Sequence, residues 1–505
     1  MDVNSFMEGL SIAIEPVNIV WIIIGGFLGT IVGMLPGLGP ATAVAVLIPM
    51  TFGMDPVSAI ILMAAIYYGA MYGGSRSSIL LNTPGDGSAI AATFDGYPMA
   101  RKGMAGQALA ISAVASFIGG LIAVIGFIFL AEPLAAFALE FGPAEYFLLM
   151  LLTLSAIVSL SIGKMVKGFL AMTIGLALST VGIDTQTGIY RFTFGSSHLS
   201  EGIDFLIVII GVYAIGEVLY NLLSIDEQRK EKKKVGKVWF SKEQWRRSKW
   251  PILRSGPLGF IIGVLPGAGG SIASMISYTT ERQLSKRSSQ FGKGAVEGLA
   301  APESANNSAS VGAMIPLLTM GIPGSGTTAV MLGALIMLGL RPGPLLFEQQ
   351  PETAWALINS MFIGNIALVI INILLVGALV KVLDTPPKVL YPVIVVLAFI
   401  GTYTLSYATF DFYFLLLFGV IGLFMKVLDF PIAPLVLALI VGSDMEQNFR
   451  MALTSSNGSF GIFFSSGVSI ALIVLTLLSL LYPLVVHWMK RKAQNKHEDQ
   501  MYKSS

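Results

Sequence analysis

The chain of 505 residues contains no cysteine, which excludes disulfides, thiolate metal sites and cysteine nucleophiles. Its three histidines, His198, His487 and His497, are scattered and read as solvent or interface residues. Charge is scarce too, at 12% of residues against roughly 25% in an ordinary soluble domain. Catalytic signatures are missing: there is no G-x-x-x-x-G-K-[ST] phosphate loop, no H-E-x-x-H helix and no G-x-S-x-G elbow. The usual chemistry of an ATP-driven pump or a membrane hydrolase is therefore absent. The start, "MDVNSFMEGLSIAIEP", lacks a basic n-region and a small-residue cleavage site, so no removable signal peptide is expected.

What the chain has is apolar. It is 54% hydrophobic, with a mean hydropathy of +0.77. Its apolar runs of about 20 residues each suffice to cross a hydrocarbon core of ~30 Å as a helix. Lipid leaves no water for open backbone, so the reading is an all-α polytopic membrane protein rather than an outer-membrane barrel. Spans are expected near residues 103–130, 146–162, 168–181 and 205–223, then near 355–380, 389–405, 412–423, 432–441 and 468–489.

Between these two groups lies a basic segment. Residues 226–254 hold eleven of the 31 Lys and Arg against four acids, which marks a cytoplasmic linker by the positive-inside rule. A topology anchor is favoured over nucleic-acid or lipid binding, and Trp239, Trp245 and Trp250 suit a segment lying along the headgroups. The division is then 1–225 as a first membrane repeat, 226–254 as the linker, and 255–505 as a second repeat with a basic cytoplasmic tail.

The halves share motifs in the same order. "GMLPGLGPATA" at 33–43 matches "GVLPGAGGSIA" at 263–273, "NTPGDGSA" at 82–89 matches "GIPGSGTTA" at 321–329, and "SFIGG" at 116–120 matches "MFIGN" at 361–365. Arg101 and Lys102 follow the second motif in one half, whereas Glu348 and Glu352 follow it in the other, which points to inverted repeats. Each Leu-Pro-Gly element is then expected to be a re-entrant hairpin.

Proline removes a backbone donor and glycine permits left-handed turns. Pro36-Gly37, Pro84-Gly85, Pro266-Gly267 and Pro323-Gly324, with Gly39 and Gly269 beside them, should break helices inside the membrane. Exposed N–H and C=O groups there require burial in protein or a wet cavity, so four breaks imply an internal polar site. Half-helix N-termini suit an anion, and carbonyls with Asn, Ser and Thr oxygens suit a small cation. The anion candidates are Arg76, Ser77, Ser78, Asn82, Thr83, Gly85, Gly87 and Ser88, with Gly324, Ser325, Gly326 and Thr327. The candidates for a coupling sodium ion or proton are Asp86, Glu303, Asn306, Asn307 and Ser308, and no other cofactor is called for.

Simpler readings stand beside these. A Pro-Gly break also serves as a packing kink. Arg76 can snorkel to an interface, Asp86 can cap a helix, and Glu303 can be a solvated charge at the membrane edge. The segments "GIDTQTGIYRF" (182–192) and "GSDMEQNFRM" (442–451) each pair an Asp with an Arg and read as structural loops.

The motif stretches "GMLPGLGPATAVAVLIPMTFGMDP", "YGGSRSSILLNTPGDGSAIAATFDGYPMARKG" and "APESANNSASVGAMIPLLTMGIPGSGTTAVMLGAL" closely resemble the large membrane subunit, TctA type, of the bacterial tripartite tricarboxylate transporters. The resemblance runs from about residue 7 to about residue 489. It implies a multi-pass permease of the cytoplasmic membrane that works with a small membrane subunit and an extracytoplasmic solute-binding protein, importing carboxylates on an ion gradient. The rival readings are a stand-alone channel or exporter for small organic anions, which would need no binding protein, and a membrane enzyme, for which no residue constellation argues.

Overall fold

The computed structural model describes residues 3–35, 38–160, 164–184, 186–223, 236, 238–267, 269–382 and 387–481. Pro36, Gly37, most of the first half of the basic linker, and the tail with His487 and His497 lie outside the described residues.

The first half opens with α1 (Val3–Ala13), α2 (Pro16–Met34), α3 (Pro40–Leu47), α4 (Pro56–Leu81), α5 (Ile90–Met99) and the long α6 (Ala105–Leu139). Next come α7 (Pro143–Leu160) and α8 (Met165–Ser179), then a small antiparallel hairpin of β1 (Gly182–Ile183) and β2 (Tyr190–Arg191). A π-helical segment, Ile210–Ile215, joins α9 (Phe205–Ile209) to α10 (Gly216–Leu223). The second half runs through α11 (Lys242–Val264), α12 (Gly269–Leu284), α13 (Val296–Gly312), α14 (Met314–Met320), α15 (Gly326–Met337) and α16 (Pro344–Gln349). It continues with α17 (Pro351–Leu374), α18 (Val376–Val382), α19 (Pro387–Ser406), α20 (Asp411–Val427) and α21 (Ala433–Ser455). Among the described residues, six helical stretches are long and apolar enough to cross a bilayer: Pro16–Met34, Pro56–Leu81, Gly87–Leu139, Phe205–Leu223, Pro351–Leu374 and Lys388–Leu405. The protein is an all-α polytopic membrane protein.

Starts of helices follow local chemistry. Pro40 and Pro56 occupy first-turn positions, where a missing N–H costs nothing. The Asp55 carboxylate caps α4 by accepting from the N–H groups of Val57 and Ser58 at 3.0 and 3.2 Å.

The chain forms two compact units, Met1–Glu140 with Ile203–Asp429 and Phe141–Gly202 with Phe430–Ser505, so each draws on both halves. The first unit is built on two helix pairs that touch backbone to backbone. Gly25, Gly29 and Gly33 recur every fourth residue on α2, and Cβ atoms there would run into the carbonyls of Leu62, Ile66 and Ala70 on α4. In the second half Gly259 and Gly263 of α11 press on the carbonyls of Ala305 and Ala309 of α13 in the same way. Gly29 against Ile66 therefore recurs as Gly259 against Ala305, a shift of 230 residues on one helix and 239 on its partner. Helices this close gain dispersion and exclude lipid along the seam. As a result α4 is buried from Ser58 to Leu80 and α13 along its whole length.

In the second unit, Gly175 of α8 rests on the Leu435 carbonyl of α21. One expectation is corrected here. Residues 442–451 are not a loop but the middle of α21, and their Arg450 serves both segments. It reaches Asp184 of the other segment at 2.9 Å and Glu446 one turn back at 2.5 Å, while Arg191 meets Glu446 at 2.8 Å. The spacing misled because an Asp and an Arg six residues apart suit a loop as well as a helix.

The linker shows a further departure. From Lys242 onward it is already α11, started by a Ser241–Gln244 capping box. Arg247 holds Glu297 through two bonds of 2.8 Å, and Arg254 holds Glu281 at 2.7 Å, so part of the basic charge fastens α11 to α13 and α12. Trp239, Trp245 and Trp250 are exposed, as an interfacial segment requires.

Candidate functional site

Both Pro-Gly breaks after the central helices have one geometry. α4 ends on Asn82 and α14 on Gly321, each in the left-handed region at φ 56° and 72°. The next N–H turns back in each case, from Thr83 to the Ser77 carbonyl at 3.4 Å and from Ile322 to the Pro316 carbonyl at 3.1 Å. The chain then passes Pro84 or Pro323 and packs a glycine tightly. A Cβ on Gly85 would stand 3.0 Å from Gly74 Cα, and one on Gly324 2.9 Å from Ala313 Cα. Asp86 and Ser325 follow in extended conformation, and helix resumes at Gly87 and Gly326. Every pair is related by 239 residues, the shift seen on the central helices.

The tips of the motifs converge. Gly39 faces Asp86 and Gly269 faces Ser325, with would-be Cβ to Cβ distances of 2.9 and 3.6 Å. The Gly267 N–H donates to the Gly324 carbonyl at 2.9 Å, tying the second Leu-Pro-Gly turn to the second break. Contacts also cross between halves. A Cβ on Gly87 would lie 2.8 Å from Ser271 Oγ, and one on Gly270 would lie 3.3 Å from Ser88 Cβ and overlap Asn306 Oδ1. The buried Tyr67 of α4 lies near Ser325 and Asp86. Ser88 donates to Asp86 Oδ1 at 2.6 Å, and Ser325 accepts from the Thr328 N–H in a capping box. Asp86, Ser271, Ser325 and Gly326 are partly exposed, so the junction is accessible as well as polar.

A second cluster lies between α4, α6, α13 and α17. Glu303 is buried and accepts from Ser112 and Ser116 of α6 at 2.8 and 3.2 Å. Asn307 donates to Ser116 at 2.7 Å, and Tyr72 donates to Asn365 at 3.0 Å. A cavity of about 10 Å³, room for one water, lies between Tyr68, Tyr72, Asn307 and Asn365. The Arg76 guanidinium is 1% exposed, donates to the Asn372 carbonyl in the last turn of α17 at 2.5 Å, and lies close enough to Glu303 for the charges to act on each other. Its Nε and Nη1 have no partner among the described residues.

These positions decide among the simpler readings. Arg76 does not snorkel, because its head is buried with its stem. Glu303 is not a solvated charge at an edge, being 1% exposed. The sequence-derived residues also divide. Asp86, Gly87, Ser88, Gly269, Asn306, Gly324, Ser325 and Gly326 belong to the junction, Thr327 is buried in the first turn of α15, and Arg76, Glu303 and Asn307 belong to the second cluster. Ser77 and Ser78 donate to the Gly74 carbonyl, and Ser78 also to that of Ala89, which links α4 to the next helix. Ser308 faces α11, donating to the Gly256 carbonyl at 2.6 Å. Thr83 Oγ1 is buried without a partner among the described residues, and Asn82 is exposed.

Sequence reading missed Tyr67, Ser271, Asn365 and Asn372. The two asparagines carried a legible signal, as amides on an otherwise apolar span, one of them inside "MFIGN". Ser271 carried one as well, following the second Leu-Pro-Gly motif. Tyr67 sits in an apolar run and gave none.

The family described as Tripartite tricarboxylate transporter TctA family matches residues 19–437. A protein of Agrobacterium vitis, titled "Uncharacterized 52.8 kDa protein in TAR-I ttuC' 3'region", is 43% identical over 475 residues, covering 94% of this chain and 95% of that relative. A second from the same organism, "Uncharacterized protein in TAR-II ttuC' 3'region", is 39% identical over 241 residues, covering 48% of this chain and all of that relative. No solved structure matches the chain. With its broken helices meeting at a partly exposed polar junction and most of its length matched, the chain belongs to the TctA family of tripartite tricarboxylate transporter components.

Proposed function

We propose that the protein is the permease subunit of a secondary active transporter in the bacterial cytoplasmic membrane, importing tricarboxylates or related carboxylates on a sodium or proton gradient. The observation that carries this reading is the convergence of two equivalent helix breaks on one accessible polar junction, because irregular backbone at membrane depth is tolerated where it is buried in protein or lines a wet cavity, and this junction is partly exposed. The two halves, 1–225 and 255–505, act as inverted repeats, with the Leu-Pro-Gly elements as re-entrant hairpins and 226–254 as a cytoplasmic linker. The anion binds among the break residues, helped by the full charge of Arg76. The coupling ion is held by Asp86 and Asn306 at the junction, while Glu303 and Asn307 in the second cluster offer the alternative place for it and Ser308 braces α13 against α11. A small membrane subunit and an extracytoplasmic solute-binding protein complete the system.

Reconstitution tests this. Permease and small subunit in proteoliposomes, supplied with the binding protein loaded with labelled citrate, should accumulate citrate only under an inward sodium or proton gradient. Equal flux from the permease alone, without binding protein or gradient, would instead mark a channel or exporter.

A further inference from the structure

The two junctions have the same backbone but different chemistry. Asp86 and Ser325 occupy equivalent positions, at φ −150° and −157°, each facing the start of a helix across a glycine. At the first junction the protein supplies its own carboxylate, and the facing helix α3 begins with Pro40, which has no N–H to offer. At the second there is a hydroxyl instead, and the facing helix α12 has Gly270 at the position of Pro40. The first-turn N–H groups of α12, a helix of 16 residues, have no acceptor within the helix and carry about half a positive charge between them.

An independent observation marks the same spot. Asn306, 1% exposed on α13, turns its Oδ1 toward Gly270, and among the described residues neither that oxygen nor the Nδ2 donor beside it has a partner. Leaving a buried polar group unsatisfied costs roughly 1–3 kcal/mol, so such an amide is normally completed by a ligand or water. Gly270 also has to be glycine for the amide to fit there, because a Cβ would overlap Asn306.

We propose that the first turn of α12, Gly269–Ser271, together with Asn306 and Ser325, binds one carboxylate of the transported anion, in the place that the Asp86 carboxylate holds at the equivalent junction of the other half. The assignment rests on the carboxylate-transport reading and makes it specific. It explains why only one of two equivalent positions is acidic: the substrate supplies the second carboxylate. It also gives the site a direction, since the protein's carboxylate and the substrate's stand at opposite junctions, with Asn306 beside both Gly270 and Ser88.

The experiment copies one junction into the other. Full-length permease and its Ser325→Asp, Ser325→Asn and Asn306→Leu variants are purified, checked for a monodisperse peak and unchanged melting, and titrated calorimetrically with citrate, succinate and tartrate. Ser325→Asp places a carboxylate where the substrate's should sit and should weaken the tightest of these ligands by about 100-fold, while Ser325→Asn stays within about 10-fold of wild type. Asn306→Leu, which keeps volume and loses the donor, should weaken it at least about 10-fold and supports the subsite even if Ser325→Asp does not fold. Equal affinity of Ser325→Asp and Ser325→Asn, or wild-type affinity of Asn306→Leu, would overturn the subsite while leaving carboxylate transport standing. Failure of wild type to bind any of the three anions would overturn the carboxylate reading itself, and the subsite with it.

Discussion

Residues 82–88 and 321–327 follow one path with different side chains. Both begin with a left-handed residue, both turn back onto the preceding helix and both wedge a glycine against its neighbour. What they share is what backbone geometry requires. Asn and Gly are the two residues that enter the left-handed region most cheaply, and only a glycine allows the close approach at 85 and 324. What they do not share is Asp86 against Ser325, a difference the backbone does not ask for, and it is there that ligand chemistry is to be found.

The central helices repeat the lesson. Arg76 on α4 corresponds to Ile315 in the second half, and Glu303 on α13 corresponds to Ala64 in the first. Arg76 and Glu303 are thus charges that the counterpart positions lack, and the two face one buried region. The second compact unit behaves otherwise, since Asp184 and Glu446 are met directly by Arg450 and Arg191. There the charges complete one another, whereas among the described residues Arg76 has a single carbonyl and Glu303 only hydroxyls.

The largest effect should come from the unmatched arginine. Arg76→Ala should abolish labelled carboxylate uptake with membrane insertion intact, and Arg76→Lys should impair it substantially, because a point charge cannot reproduce the planar guanidinium. Near-normal uptake by Arg76→Lys would reduce Arg76 to a plain charge at the C-terminus of α17.

A smaller change is expected at the acidic junction. Asp86→Asn or Asn306→Ala should raise the sodium or proton concentration needed for half-maximal uptake by about tenfold, or ~1.4 kcal/mol, more than either lowers protein abundance. Unaltered ion dependence in both variants would remove these residues from the coupling site.

The smallest belongs to the second unit and should spare transport. Backbone donation from Gln186, with help from Arg450, holds the Asp184 carboxyl at about 2, well below its usual range. With the folded value depressed, this stabilisation is present above the unfolded value of about 3.9 and is lost as pH falls through the folded value. Arg450→Gln should move that window upward, seen as proteolytic nicking of the 182–191 hairpin at a higher pH than in wild type, with uptake at neutral pH unchanged.

Much of this was legible in the sequence. Apolar runs gave the helical class, and the paired Pro-Gly motifs gave the breaks, because backbone without donors or with left-handed turns leaves a local signature. Asp86 and Ser325 could be named as site residues for the same reason. Their equivalence across a facing helix start could not, since it depends on Gly39 and Gly269 arriving from distant sequence. Arg76 was legible as an unusual charge, whereas its placement at the last turn of α17 depended on tertiary packing. Segment 442–451 was misread because its polar residues look like loop on composition, and the long-range acceptor of Arg450 is invisible locally.

The central claim is that the tips of the two halves meet at the place where the anion binds, and the absence of native cysteine allows a direct measurement. A Cβ on Gly87 would stand 3.6 Å from Ser271 Cβ, within disulfide range. A Gly87→Cys, Ser271→Cys double variant in membranes should cross-link on mild oxidation, holding the halves together after proteolysis within the linker, and saturating citrate should slow the reaction. No cross-link in the absence of citrate, or a rate that citrate leaves unchanged, would contradict the account.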